Sequence, residues 1–416
     1  MTAANLCYAQ SGGVTAVINV SAAAVLDAAD ADPRIGKVYA ARNGILGILH
    51  EDLIETWREN KTARARLAQT PGGAFGSCRV KLPPPRDNPE LYRRLFAVCR
   101  EWNIRYFLYN GGNDSADTAL KLSAAAKEFG FPLATVGVPK TIDNDLAASD
   151  SCPGFGSAAK YIAVGIAEAA LDVASMARTS TKVFVLEVMG RNAGWLAAAA
   201  ALSGREELLV LPPEAPFRRD HFVAALRRRV QQYGFAVVAV SEGVRDLRGK
   251  FLAAAKTADA FAHRQLGGVA PHIAAIVQNA GFKCHWGVAD YLQRAARHLA
   301  SQTDVAHADA LGRAAVRLAA AGENAVMPVI RRLSDSPYRW KVATARLKNI
   351  ANRERKLPAN FYDRETYRIT PACRRYLAPL ICGEEYPAYG KDGLPLYAGL
   401  KNIGARKKLP PWEGTI

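Results

Sequence analysis

Between Lys140 and Asp145 the chain reads Lys-Thr-Ile-Asp-Asn-Asp, placing two carboxylates, a hydroxyl, an amide and an ammonium within six positions. One carboxylate in such a cluster can take a proton from a substrate alcohol while a second orients a cation. The lysine can offset charge on a phosphoryl group in transfer. The plainer alternative is a polar turn capped by its own Asx side chains. Two glycine turns offer a partner chemistry: Ser11-Gly12-Gly13, and Asn110-Gly111-Gly112-Asn113-Asp114-Ser115. Glycine lets backbone N–H groups come close to a phosphate, and a following helix N-terminus favours negative charge. Asn113 and Asp114 add oxygen ligands suited to Mg²⁺. Neither turn fits G-x-G-x-x-G or a P-loop ending in Gly-Lys-Ser/Thr, and an ordinary strand-to-helix turn explains either one alone equally well.

The elements around these clusters place them consistently. Leu6–Gln10, Tyr106–Asn110, Leu133–Val138, Val183–Val188 and Ala236–Val240 read as strands. Val14–Ala29, Asp114–Phe129 and Ala193–Leu202 read as helices. This alternation predicts an α/β fold with mainly parallel sheets, and the same strand–glycine–helix grammar in both halves predicts two similar Rossmann-like domains. Ligands in such sheets bind at the carboxyl ends of the strands, where every one of the clusters falls.

The chain has 416 residues, long enough for two cores. Half of the residues are hydrophobic and 22% are charged, which excludes a disordered chain. Apolar runs such as Leu196–Leu202 are too short to cross a bilayer, and the first residues lack the basic and long apolar regions of a secretory signal. The seven cysteines show no C-x-x-C, which favours reduced thiols in a cytoplasmic protein. Net charge is +17, of which +7 lies from Arg346 onward. Such a surplus suggests an anionic partner: nucleic acid, an acidic surface or phosphorylated metabolites. A nucleic-acid arm would concentrate the charge and interleave aromatics, so Arg374-Arg375 and Arg406-Lys407-Lys408 read as solvated faces. His263 and His272 have no metal spacing, and Trp195 and Trp286 read as core or interface anchors.

Five stretches, in order, resemble the phosphofructokinase family: Ser11–Gly13, Gly111–Ser115, Pro139–Asp145, Met189-Gly190-Arg191 and Ser241-Glu242-Gly243. A sixth, Tyr291-Leu292-Gln293-Arg294, is similar to the family's His/Tyr-x-Gln-Arg segment. ATP-using members have glycine where this chain has Asp114 and Lys140, so the pair looks like the pyrophosphate-using branch. A carboxylate at 114 would crowd and repel the α-phosphate of a nucleotide, and the lysine would contact the short donor.

The resemblance implies phosphoryl transfer from Mg²⁺–pyrophosphate to C1 of fructose 6-phosphate, a reversible step of glycolysis and gluconeogenesis, with the active site in the cleft between two domains. An ATP-dependent enzyme is the nearest alternative, and a non-catalytic anion or nucleic-acid binder of the same fold a distant one. A nicotinamide-dependent dehydrogenase lacks its glycine fingerprint here. Asp143 would be the general base, with Thr141 and Ile142 beside the sugar and Asp145 supporting base or metal. Gly12, Gly13, Arg79 and Lys140 would hold pyrophosphate, and Asn113 and Asp114 the Mg²⁺. Asn113 takes the place of the family's metal-proximal aspartate.

Met189, Gly190, Arg191, Glu242 and the 291–294 segment would hold the sugar phosphate, with Lys182 reaching across a homodimer interface. Lys182 and His285 stand where relatives have arginines, and Lys283 lies nearby. Residues 1–155 with about 295–345 would form the donor domain. Residues 156–294 with part of 346–416 would form the sugar-phosphate domain, and 346–416 resembles the C-terminal extension of pyrophosphate-using members.

Overall fold

A computed structural model describes residues 3–258 and 264–415, side chains of 254–265 excepted. His263 lies outside the described residues. The first body is a seven-stranded sheet. It contains β1 (Ala4–Gln10), β2 (Ile35–Ala41), β3 (Leu53–Glu55), β4 (Ile104–Gly111) and β5 (Ala134–Pro139). The second body is a four-stranded sheet of β6 (Val183–Val188), β7 (Leu208–Leu211), β8 (Ala236–Ser241) and β11 (Cys284–Val288). Between β8 and β11 lie the antiparallel β9 (Ala254–Ala258) and β10 (Arg264–Leu266). The chain then returns to the first sheet with β12 (Val326–Asp335) and β13 (Tyr338–Arg346). The orders are β13-β12-β5-β4-β1-β2-β3 and β11-β6-β8-β7. The second sheet is parallel throughout, and the first is parallel from β2 to β12 with an antiparallel strand at each edge.

The strands that carry the site are apolar on both faces, as parallel strands covered by helices must be. Their two-residue period splits the core. Leu6 and Tyr8 pack on one face of the first sheet with Leu108, Val136 and Val138. Cys7 and Ala9 pack on the other with Phe107 and Tyr109. In the second sheet Val185 and Val238 join one core while Val237 and Ala239 join another. Each fully buried valine, leucine or phenylalanine among them contributes about 1.5–3 kcal/mol. Among the described residues no helix is long and apolar enough to cross a membrane.

Two expected helices differ from those observed. The helix after the first glycine turn starts at Ile18 rather than Val14. Thr15 is drawn instead into a turn, its hydroxyl accepting from Val17 N at 3.3 Å. The expected helix 193–202 is α-helical over Trp195–Ala199 and tightens to 3₁₀ over Ala200–Ser203, ending at Gly204 with φ +74°. Gly194 and the Glu214 carboxylate fix its start, because Glu214 accepts from Gly194 N at 2.9 Å.

The C-terminal extension divides between the two bodies. The hairpin Tyr362–Asp363/Arg368–Ile369 is held to β7, Val210 N donating to Tyr367 O at 2.9 Å. The last stretch runs along β3, where Ala405 N donates to Leu53 O at 2.8 Å and Glu55 N to Ile403 O at 2.9 Å.

Candidate active site

The carboxyl ends of β1, β4 and β5 meet those of β6 and β8 across a cavity of about 1020 Å³ lined from both bodies. The expected residues Gly12, Gly13, Arg79, Asn113, Asp114 and Lys140 line one side. Thr141, Ile142 and Asp143 continue into Met189, Arg191, Glu242, Tyr291 and Arg294 on the other.

On the first side Lys140 leaves the end of β5 and is buried, 3% exposed. Its ammonium donates to the carbonyls of Ser11 at 2.8 Å and Gly13 at 2.5 Å. Burial, followed by the charges of Arg294 and Arg79, lowers its pKa to about 7. Gly13 permits this crowding, since a Cβ there would lie 2.9 Å from an Arg294 guanidinium nitrogen. Asp114 lies in the first turn of the helix Asn113–Glu128, which has no side-chain cap and opens its N-terminus to the cavity. Backbone donors and the helix dipole there suit an anion.

The loop after Lys140 turns on Asn144, which is buried and adopts φ +53°. Its side-chain oxygen accepts from Cys152 N at 3.1 Å, fixing the loop so that Asp143 and Asp145 flank it. Thr141 Oγ1 accepts from Asp143 N at 3.1 Å. Burial, then Glu242, pushes the Asp143 carboxyl up to about 6. Burial, then Asp143 itself, pushes Asp145 up to about 7. A carboxylate so poised is a usable base near neutral pH.

On the opposite side Gly190 adopts φ +125° and its N–H donates to Glu242 Oε1 at 3.3 Å. Burial raises the Glu242 pKa, while Gly190 N–H and Arg191 hold it down. The Arg294 guanidinium lies over the Tyr291 ring, 4.0 Å from its centroid. Gln293 is buried and does not line the cavity. Its amide accepts from Met189 N at 3.3 Å and donates to Asp290 O at 3.0 Å, so it shapes the wall from behind. Leu292 is exposed outside the cavity.

Lys182 stands just before β6, at the strand end opposite to the cleft, about 20 Å away at 3.3 Å per residue. Its backbone N–H donates to Lys283 O at 3.0 Å, and His285 is exposed on the neighbouring β11. Trp195 is buried in the core, whereas Trp286 is half exposed on β11 and His272 is exposed on its helix.

The extension supplies the part of the site that motif reading missed. Residues 352–357 cross the cleft as a strap. Asn352 N donates to Asn113 Oδ1 at 2.5 Å, and Asn113 Nδ2 donates to Arg353 O at 2.6 Å. Arg355 N donates to Asp145 O at 2.7 Å, and its guanidinium to Asn144 O at 3.0 and 3.2 Å. Trp195 Nε1 donates to Arg355 O at 3.0 Å, and Leu357 N to Glu214 Oε1 at 2.9 Å. The strap thereby brings Glu354 and Lys356 into the cavity. Asn192 Nδ2 holds Glu354 Oε1 at 2.7 Å, and the Glu354 charge adds to the rise in Asp143 and Asp145. The sequence signal was a lone acid among basics, Arg353-Glu354-Arg355-Lys356.

Of the two residues expected to take the metal, Asp114 lines the cavity, while both polar atoms of Asn113 are engaged by the strap. Among the described residues no three His, Cys, Asp or Glu side chains converge as a metal site. A hard cation held by one or two carboxylates and its substrate's phosphates needs no such cluster, so the oxygen donors present fit Mg²⁺.

The Phosphofructokinase family pattern matches residues 5–319. A pyrophosphate–fructose 6-phosphate 1-phosphotransferase of Xanthomonas campestris is 59% identical to this chain, covering all of both. One of the same name from Methylococcus capsulatus is 54% identical over 98% of this chain and 99% of its own. The crystal structure of a pyrophosphate-dependent phosphofructokinase from Nitrosospira multiformis superposes with a TM-score of 0.91 at 53% identity, covering 98% of this chain and 99% of that one. With its glycine turns, its Pro139–Asp145 loop and its two sheets meeting at one cleft, this chain belongs to the phosphofructokinase family.

Proposed function

We infer that this chain transfers a phosphoryl group reversibly from Mg²⁺–pyrophosphate to the C1 hydroxyl of fructose 6-phosphate, giving fructose 1,6-bisphosphate and phosphate. The observation that carries this reading is the Lys140 ammonium, clamped between the Ser11 and Gly13 carbonyls with Asp114 and Asp143 on the same cavity. A cation fixed this deep suits a compact, highly charged donor. Close relatives named for that reaction support it.

In this reading Asp143 takes the C1 proton as the C1 oxygen attacks the terminal phosphorus. The bridging P–O bond breaks, and phosphate departs. Lys140, Arg79 and the Gly13 N–H offset charge on the group in flight, Gly12 N–H being committed to Cys78 O at 3.0 Å, and positioning with electrostatics suffices for such chemistry. Asp114 would hold Mg²⁺, which when bound neutralises charge on the donor phosphates. Met189, Arg191, Glu242, Tyr291 and Arg294 orient the sugar phosphate, and Gly190 and Gln293 hold that wall in place. The body carrying β1–β5, β12 and β13 serves the donor, and the body carrying β6–β8 and β11 the sugar phosphate. Lys182 serves the site of a second copy in a homodimer, and the enzyme works in the cytoplasm.

The test is initial rate with pyrophosphate against ATP at matched Mg²⁺. Pyrophosphate should sustain turnover and ATP should not. Faster turnover with ATP overturns the assignment of the donor.

A further inference from the structure

A second cavity, of about 720 Å³, lies where the extension packs against β7, and it shares no lining residue with the cleft. Its size falls within the roughly 300–1,000 Å³ of small-molecule sites. Its walls are built by backbone bonds, Val210 N to Tyr367 O at 2.9 Å, and by Tyr362 OH to Val210 O at 2.8 Å. Leu208, Val210, Ile369 and Ala378 give it an apolar floor.

Its charges are unbalanced. Among the described residues Arg205, Arg368, Arg374 and Arg375 line it against only Glu206 and Asp363. Both acids are already engaged. Glu206 pairs with Arg368. Asp363 accepts from Glu365 N at 2.9 Å and from the Thr366 hydroxyl at 2.6 Å. The cations are crowded: burial, then the charge of Arg374, lowers the proton affinity of Arg368. Arg205 donates to Ala167 O at 3.3 Å, but its Nε is buried with no hydrogen-bond partner. Like charges around a concavity are costly until an anion pairs with them.

We propose that this cavity binds a phosphate ester of a small organic molecule, its phosphate taken by the arginines and its carbon part by the Leu208–Ile369 floor. Guanidinium groups pair with phosphate in two-point contacts, which lysine cannot match. Free phosphate would leave the apolar floor bare, so the ester is the better-matched occupant. The site is independent of the chemistry assigned to the cleft.

The probe is phenyl phosphate, compared with inorganic phosphate by equilibrium dialysis on the intact enzyme and on Arg374→Ala/Arg375→Ala. Both arginines are exposed and lie outside the cleft, so folding and turnover should persist in the double variant. The wild type should bind one more equivalent of phenyl phosphate per chain than the double variant does. Ala378→Leu, which narrows the floor without touching a charge, should weaken phenyl phosphate at least about tenfold and inorganic phosphate less. Unchanged stoichiometry and affinity in the double variant overturn the proposal. So does inorganic phosphate binding as tightly as the ester. A double variant that alters only sedimentation, with ester binding intact, would make this face a contact between copies instead.

Discussion

Asn113 donates its side-chain amide to the Arg353 carbonyl at 2.6 Å, joining the start of the helix Asn113–Glu128 to a strap more than two hundred residues later in the chain. The same side chain accepts from Asn352 N, and Asn352 in turn donates to Asp117 Oδ1 at 2.9 Å. Asn113 is thus a positioning residue for Glu354 and Lys356. Asn113→Asp removes the donor and sets a carboxylate against a carbonyl. We expect kcat/KM to fall about tenfold, the effect of a lost hydrogen bond of roughly 1.4 kcal/mol, with faster proteolysis in the 350s. A gain in activity would return position 113 to the metal.

Asp143→Ser should lower kcat by about 10²–10⁴, the usual contribution of a positioned base, with KM for fructose 6-phosphate little changed. Steady-state kinetics in both directions checks this. A variant that keeps most of its turnover would exclude Asp143 as the base.

The cleft groups also set the pH profile. Asp143 and Asp145, raised to about 6 and about 7, must lose their protons to act, so kcat/KM falls as pH drops through that window. The limb belongs to the pair rather than to either residue. Lys140, lowered to about 7, loses its charge as pH rises, which makes the profile of the free enzyme narrow. Bound pyrophosphate favours the ammonium, so the alkaline limb of kcat should sit higher than that of kcat/KM. Glu354→Gln should shift the acid limb downward, because the Glu354 charge helps to raise both aspartates. An acid limb unmoved by that change would remove Glu354 from the pair's surroundings.

Lys140→Ala strands the carbonyls of Ser11 and Gly13 and takes the cation from the donor side. Pyrophosphate turnover should drop by about 10² or more, as for other lost charge-stabilising groups. Asp114→Gly with Lys140→Gly should admit some ATP. No rise in ATP use at all would mean that the strap beside Asn113, rather than the pair, excludes the nucleoside.

The proposed homodimer makes the reach of Lys182 testable with mixed dimers. Lys182→Ala and Asp143→Ser homodimers should each be poorly active, yet hybrids re-formed from both should regain up to about half of the wild-type rate, because one site of the two is then whole. Hybrids no better than their parents would place Lys182 outside catalysis.

The site's motifs were legible because each sits at a strand end, where backbone topology dictates position. Lys140, Asp143 and Glu242 needed only their neighbours in sequence to be placed. Gln293 was legible as a motif residue but not as a buried brace, since its partners Met189 and Asp290 are brought to it by folding. Glu354 and Lys356 were hidden because nothing local fixes a strap whose bonds go to Asn113, Asn144 and Asp145. The start of the first helix was misread because Thr15 prefers its own turn to the helix that the alanines promise.

The strap has a consequence for biosynthesis. The Pro139–Asp145 loop lacks its backbone partner until Arg355 has emerged from the ribosome. Nascent chains and fragments cut before that point lack both that partner and the core side chains of Leu357, Ile369 and Leu377, so turnover reports on chains translated past it.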